Sequence, residues 1–395
     1  MALKITCPQC TAEFFVVEAF SGSKIVCPQC TSAIILALKT QHPSTHISGP
    51  KAILPSQMLN IKEEAIRHLE IWLDVPSVSI KNALSMIEQD KAYEVWKIPK
   101  GESNTFREIA APADVLKHIQ RRILDRLLYR IPVSNASHGF IQGRSIVTNA
   151  SFHLKTAGAV LNFDLKDAFP SVDAQRIKHL LVRYLKIPLK HLGGNIPHEA
   201  LDQAIEMLVK FTTYKGALPQ GGPASGYLLN IACISLDKTI YSLLQSYGNS
   251  YRYTRYADDI TISSPMPFPQ GLQEAIETAI HNSGFQINPK KVRYAVRSQG
   301  QRLEVTGLIL EKDKVRIPSQ KIEIFRAIIH QAGSLETQNL QPEKRLEIQS
   351  IIAFIKMVYG KIPYRIWGPY KAYMEKHGIF MPRKTSKAYL SLYPH

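Results

Sequence analysis

Apolar and polar positions along this chain change their period repeatedly, and each change marks an element. Residues 159–165 are a short apolar run closed by Asp164, which predicts a buried strand ending in an acid. On either side of Ala257-Asp258-Asp259, residues 251–256 and 260–263 alternate β-branched and aromatic side chains with polar ones, as a half-buried hairpin with the acids at its tip would. Further hairpins are expected from 93–101 with 105–109 and from 303–310 with 315–318. Helical spacing covers 58–74, with Ser56 as candidate cap, then 79–89, 113–130, 175–185, 195–210, 227–240 and 271–283. Glycine-dense stretches interrupt the helices at 139–143 and at 216–226. The first enters a helix on which Asn149 and His153, four apart, share a face, and the second offers Ser225 as a cap for the helix at 227. From 319 onward the chain reads as helical, basic and aromatic, with Phe354, Tyr359, Tyr364, Trp367, Tyr370 and Tyr373.

The acids carry the first chemical signal. Side by side at a tight turn, Asp258 and Asp259 raise each other's pKa unless a cation neutralises them, although Asp is also at home in an ordinary Asx turn. An Asp closing a neighbouring strand of the same sheet changes the picture, because Asp164 would then make a third converging carboxylate. Three oxygen donors suit two Mg²⁺ ions held jointly by protein and substrate phosphate, the arrangement that serves in-line nucleotidyl transfer.

At the N-terminus, Cys7 and Cys10 form one Cys-Pro-Gln-Cys pair and Cys27 and Cys30 another, spaced to grip one Zn²⁺ tetrahedrally. The apolar stretches 14–17 and 34–36 follow each pair, which makes residues 1–40 similar to a small zinc ribbon. Such a ribbon has little core, so the metal would be needed for folding. Two disulfides are disfavoured in a reducing compartment, and a redox site is disfavoured by the repetition. Residues 41–57 read as a linker whose His42 and His46 face solvent, since four cysteines already complete a zinc shell. Cys233, inside an apolar run, reads as core.

A formal net charge of +17, from 49 Lys and Arg against 32 Asp and Glu, points to a polyanionic partner. No apolar run approaches the roughly 18 residues of a membrane span, and no signal-peptide region opens the chain, so a cytoplasmic protein without a membrane partner is expected.

FDLKDAFPSV around Asp164 and YADD at 256–259 resemble the palm of a reverse transcriptase. The likeness extends in block order over roughly residues 90–360. It implies an α+β right-hand polymerase: a zinc ribbon at 1–40, fingers and palm at 58–310, and a helical thumb at 311–395 along duplex backbone. By the same resemblance Asp164, Asp258 and Asp259 hold two Mg²⁺. Lys100 and Arg107, the latter in FREI, clamp the nucleotide triphosphate. Phe169 packs under the sugar and selects deoxynucleotides, Gln220 in LPQG touches the nucleotide, and Lys291 serves the departing pyrophosphate. The segment HGF...GRS...NASFH, with Asn149 and His153, and the VTG at Val305, Thr306 and Gly307 resemble marks of retron reverse transcriptases that bind RNA. A retron enzyme implies a noncoding RNA as template and primer, deoxynucleotides as substrates, a branched RNA–DNA product, a role in antiphage defence and a possible effector protein. The alternatives are another defence or mobile-element reverse transcriptase with an unbranched product, and an RNA-binding scaffold without catalysis.

Overall fold

In the computed structural model of the chain, residues 2–6, 13–17, 24–26, 33–35, 55–99, 106–192 and 196–378 are described, side chains from residue 60 onward. The chain divides into two units, 1–54 and 55–395. In the first, β1 (Ala2–Thr6) pairs antiparallel with β2 (Glu13–Val17), and β3 (Lys24–Val26) with β4 (Ala33–Ile35). Each Cys-Pro-Gln-Cys lies in sequence between the strands of one pair. The four cysteines, most of the expected linker, and Lys100 lie outside the described residues.

The second unit opens on α1 (Pro55–Leu73) and α2 (Ser77–Glu88). Because α1 starts at Pro55, Ser56 belongs to its first turn and is not its cap. Then β5 (Tyr93–Pro99) and β6 (Phe106–Pro112) form a hairpin paired from Tyr93↔Pro112 to Pro99↔Phe106, followed by the basic α3 (Asp114–Arg126). Ser145 caps α4 (Ile146–His153): its Oγ accepts from Thr148 N, while Thr148 Oγ1 accepts from Ser145 N, a reciprocal capping box. After β7 (Ala159–Asp164) come α5 (Ala174–His191), α6 (His198–Thr212), α7 (Ser225–Ala232) and α8 (Ile234–Ser246).

The single helix expected over 227–240 is therefore two. Cys233, with φ −88° and ψ 0°, joins them, and apolar side chains on both sides hide that break from a periodicity argument. Ser225 is the first residue of α7 and makes no capping bond.

The hairpin β8 (Arg252–Tyr256) and β9 (Asp259–Ser264) precedes α9 (Leu272–Asn282) and β10 (Arg293–Val296). The sheet order is β10-β7-β9-β8, every neighbour antiparallel. Successive side chains of β7 point to opposite faces. Leu161 and Phe163 enter the larger core with helices α1, α3, α5, α6 and α7, while Val160 enters a second core on the other face. Because both faces are covered, β7 is apolar on both faces except at Asn162 and the closing Asp164. Each such buried large side chain contributes roughly 1.5–3 kcal/mol.

The second core is built by β11 (Glu304–Val305), β12 (Leu308–Leu310), β13 (Val315–Arg316), α10 (Ser319–Ser334), α11 (Pro342–Tyr359) and α12 (Tyr364–Lys376). Residues 303–310, expected as one arm of a hairpin, contain a turn of their own: Val305 pairs with Leu308 across Thr306-Gly307, at φ 47° and 77°. Two consecutive left-handed residues make a type I′ hairpin turn. The β-branched Thr306 disguised it as strand. Of the C-terminal aromatics, Tyr373 is buried and Phe354, Tyr359, Trp367 and Tyr370 pack against the core; Tyr364 alone of them is almost fully exposed. Among the described residues no helix is long and apolar enough to cross a membrane.

Candidate active site

Strand register brings the acids together. Asp164, the last residue of β7, is the cross-strand partner of Asp259, and Asp259 also pairs with Tyr256 across the two-residue loop Ala257-Asp258. Ala257 carries φ 57°, a strained value for a residue with a Cβ, and Leu165 N donates to Asp258 O at 3.0 Å, tying the loop to the end of β7. Burial, opposed by a backbone hydrogen bond and augmented by Asp164, raises the pKa of Asp258. Burial, then Asp258 and Asp164, push Asp259 up to about 6. The site is thus short of positive charge.

Part of that charge comes from Lys291. Asn288 N donates to Asp164 O at 2.9 Å, and the short turn 289–291 then sets Lys291 Nζ 2.7 and 2.8 Å from the two Asp164 carboxylate oxygens. Asp164, Asp259, Lys291, Arg293, Glu304, Thr306 and Gly307 line an open cleft of about 240 Å³. Among the described residues no three ligating side chains already stand in metal-binding geometry. The donor set nevertheless has the chemistry of a hard-cation site: oxygen atoms only, converging on a cleft, with Asp258 and Asp259 disfavoured as anions first by burial and then by neighbouring carboxylates.

Sequence reasoning missed the residue that holds this turn. Arg255, fully buried on β8, donates from Nε and Nη2 to the two carboxylate oxygens of Asp237 on α8, each at 2.8 Å. Its Nη1 donates to Asn230 Oδ1 at 3.0 Å and to Ala257 O at 2.9 Å, and Nη2 also reaches Ser137 Oγ at 2.8 Å. Tyr253 OH donates to Asp237 Oδ1 at 2.6 Å. The guanidinium therefore satisfies all these acceptors while gripping the carbonyl that precedes Asp258. The available signal was Asp237 itself, a carboxylate inside an apolar helix that needs a buried cation.

The other expected residues divide. Arg107 is exposed on β6, and its charge lowers the pKa of Asp258, so it shares the cleft's field. Gln220 accepts at its backbone O from Ala110 N at 2.8 Å, and its Oε1 is buried without a partner among the described residues. Phe169 is half-buried, edge-on to Phe140. Thr306 and Gly307 line the cleft, whereas Val305 is core.

Asn149 and His153 do share a face of α4, but that face points inward. Both are fully buried, so the expectation that they contact RNA directly is corrected. Asn149 Nδ2 donates to Thr306 Oγ1 at 3.4 Å, which links the NASFH segment to the VTG turn. His153 sits between Ser263 Oγ at 2.7 Å and Thr254 Oγ1 at 2.8 Å, pinning α4 to β8 and β9.

Burial pushes the His153 imidazole down to about 3, and His138, also desolvated, to about 4, from an ordinary 6.5. A folded pKa below the unfolded one means that the unfolded chain takes up the proton first. Stability is then full above about 6.5 and falls as pH drops toward 3. At pH 5 the His153 contribution to this loss is about 2 kcal/mol. Urea midpoints at pH 7 and pH 5 should differ less in His153→Gln than in the unmodified protein; an unchanged difference would remove His153 as the cause.

The sequence matches the family described as reverse transcriptase (RNA-dependent DNA polymerase) over residues 98–327. It is 35% identical over 285 residues to the retron Mx162 reverse transcriptase of Myxococcus xanthus, covering 67% of this chain and 57% of that protein. It is 32% identical to the retron Mx65 reverse transcriptase of the same organism, covering 69% and 62%. To the retron Ec86 reverse transcriptase of Escherichia coli it is 33% identical, covering 61% and 70%. The chain thus spans less than two thirds of the length of the two Myxococcus proteins.

Proposed function

Because the chain belongs to the reverse transcriptase (RNA-dependent DNA polymerase) family, we propose that it copies RNA into DNA at the cleft beneath the β8–β9 turn, and that it does so as a retron enzyme. The observation that carries the first part is the register that makes Asp164 and Asp259 cross-strand partners with Asp258 at the adjoining tip.

These three acids would hold two Mg²⁺, which when bound activate the attacking oxygen and stabilise the leaving one. Arg107, with Lys100, clamps the triphosphate, the guanidinium as a two-pronged donor. Phe169 lies under the sugar, and Gln220, in LPQG, touches the nucleotide. Lys291 Nζ neutralises the departing pyrophosphate after leaving Asp164. Thr306 and Gly307, on the cleft wall, hold the primer end, and Asn149 holds Thr306. Helices α10–α12 form the thumb.

The retron reading rests on HGF...GRS...NASFH and VTG, supported by similarity to proteins named as retron reverse transcriptases. The template is then a noncoding RNA whose own 2′-hydroxyl starts synthesis, which needs only that this oxygen be held in line with the α-phosphate. Zn²⁺ on Cys7, Cys10, Cys27 and Cys30 would fold the N-terminal unit, a reading supported by the place of each cysteine pair between two paired strands.

The test is the nucleic acid that copurifies with the protein. Ribonuclease treatment should leave DNA with a short RNA remnant at its 5′ end, removable by a debranching enzyme. Linear DNA with a free or protein-linked 5′ end would refute the retron reading and leave the polymerase standing. No synthesis from any primed RNA with Mg²⁺ would favour a scaffold.

A further inference from the structure

We propose that Phe140 governs the discrimination between deoxy- and ribonucleotides by buttressing Phe169; the inference rests on the reading of Phe169 as the residue under the sugar. Phe140 is anomalous in two ways. Its φ is 58°, a left-handed value at which a bulky side chain is strained, and its ring is half-exposed although it is strongly apolar. Neither backbone preference nor burial accounts for an aromatic there.

Its contacts do. The Phe140 ring stands edge-on to Phe169, with centroids 6.1 Å apart and planes at 84°, a favourable arrangement for two aromatic rings. The ring also occupies the space above Gly226 of α7, where a Cβ would fall 2.3 Å from its Cγ. The ring is therefore in contact with both α7 and Phe169, in a seat that only glycine leaves open.

The seat is referenced to the catalytic turn. Gly139 O accepts from Asn230 Nδ2 at 2.8 Å, Asn230 Oδ1 accepts from Arg255, and Arg255 also holds Ala257 O. A Cβ on Gly139 would lie 2.6 Å from Ala257 N, so the backbone leading into Phe140 lies flush against the loop that bears Asp258. His138 N donates to Arg255 O at 2.7 Å. The strained Phe140 is thus fixed in the same frame as the acids.

A steric gate selects by stiffness. A 2′-hydroxyl is excluded only if the ring beneath the sugar cannot yield by a fraction of an ångström, and Phe140 blocks one side on which Phe169 could yield. Phe140 is a positioning residue; Phe169 makes the contact.

The experiment compares kcat/KM for a deoxynucleotide and its ribonucleotide in primer extension with the unmodified protein, Phe169→Ala, Phe140→Gly and the double variant. Taking the ratio within one preparation cancels the folded fraction, which a purely structural role would change. Glycine also accepts φ 58° without strain, so Phe140→Gly removes the ring and leaves the backbone at ease. The expected result is about a tenfold or greater fall in deoxy-over-ribo preference for Phe140→Gly, a larger fall for Phe169→Ala, and a double variant no worse than Phe169→Ala, as for one coupled unit. A fall in Phe169→Ala with an unchanged ratio in Phe140→Gly would overturn the buttress and leave the gate intact. Multiplied effects in the double variant would overturn the coupling. An unchanged ratio in Phe169→Ala would remove the gate, and the buttress with it.

Discussion

Asp258→Ala is expected to abolish DNA synthesis, lowering the rate by about a thousand-fold or more, while RNA binding stays measurable. Removing one preorganised charge-stabilising group from an active site commonly costs a hundred- to a thousand-fold, and a ligand shared by two metal ions should sit at the upper end. Asp164→Ala should be equally severe, with one difference. Asp164 accepts two hydrogen bonds from Lys291, so its loss frees that ammonium, whereas loss of Asp258 removes a carboxylate that Asp164 repels. Asp258→Ala should therefore fold at least as well as the unmodified protein, an instance of an active-site charge that works against stability. Primer extension with Mg²⁺, set beside thermal unfolding and an RNA-binding titration, measures the parts separately. Near-normal synthesis in either variant would sink the assignment of the acids. Lost RNA binding would mean that the substitution disturbed more than the metal site.

The acids were legible because strand period and turn chemistry are local. An apolar run ending at Asp164 and an alternating hairpin around Asp258-Asp259 state their own geometry, and only their pairing across β7 and β9 needed the fold. Asn149 and His153 show the limit of such reasoning. Helical spacing says that two residues share a face, but not whether the face meets solvent or, as here, Thr306, Ser263 and Thr254. Thr306-Gly307 shows another: a β-branched residue in a left-handed turn is disfavoured, so local propensity reads the segment as strand and the tertiary fold overrides it. Pairings distant in sequence, such as Arg255 with Asp237, leave no periodic trace at all. Of the seven described non-glycine residues with positive φ, Ala257, Phe140 and Thr306 surround or line the proposed site.

The Arg255 network should be the most sensitive point of the fold outside the acids. Arg255→Ala is expected to destabilise the protein by about 3–5 kcal/mol, because it leaves the Asp237 carboxylate buried and without its cation. Against a typical total of roughly 5–15 kcal/mol, that loss would appear as a large drop in urea midpoint with little change in slope. Arg255→Lys keeps the charge, but a compact ammonium cannot replace a planar fork that spans both Asp237 oxygens, Asn230, Ser137 and the Ala257 carbonyl. Its stability loss should be smaller, yet the turn bearing Asp258 would lose its grip and synthesis should fall well beyond what the folded fraction explains. Replacing both partners, Arg255→Met with Asp237→Leu, separates the roles. Removing a buried ion pair whole is often neutral for stability, so this variant should recover much of the midpoint lost in Arg255→Ala. It should not recover the rate, since nothing then donates to Ala257 O. A double variant that restores both would reduce Arg255 to a packing element, and an Arg255→Ala midpoint within about 0.5 kcal/mol of the unmodified protein would show that the network contributes no more than a surface substitution does.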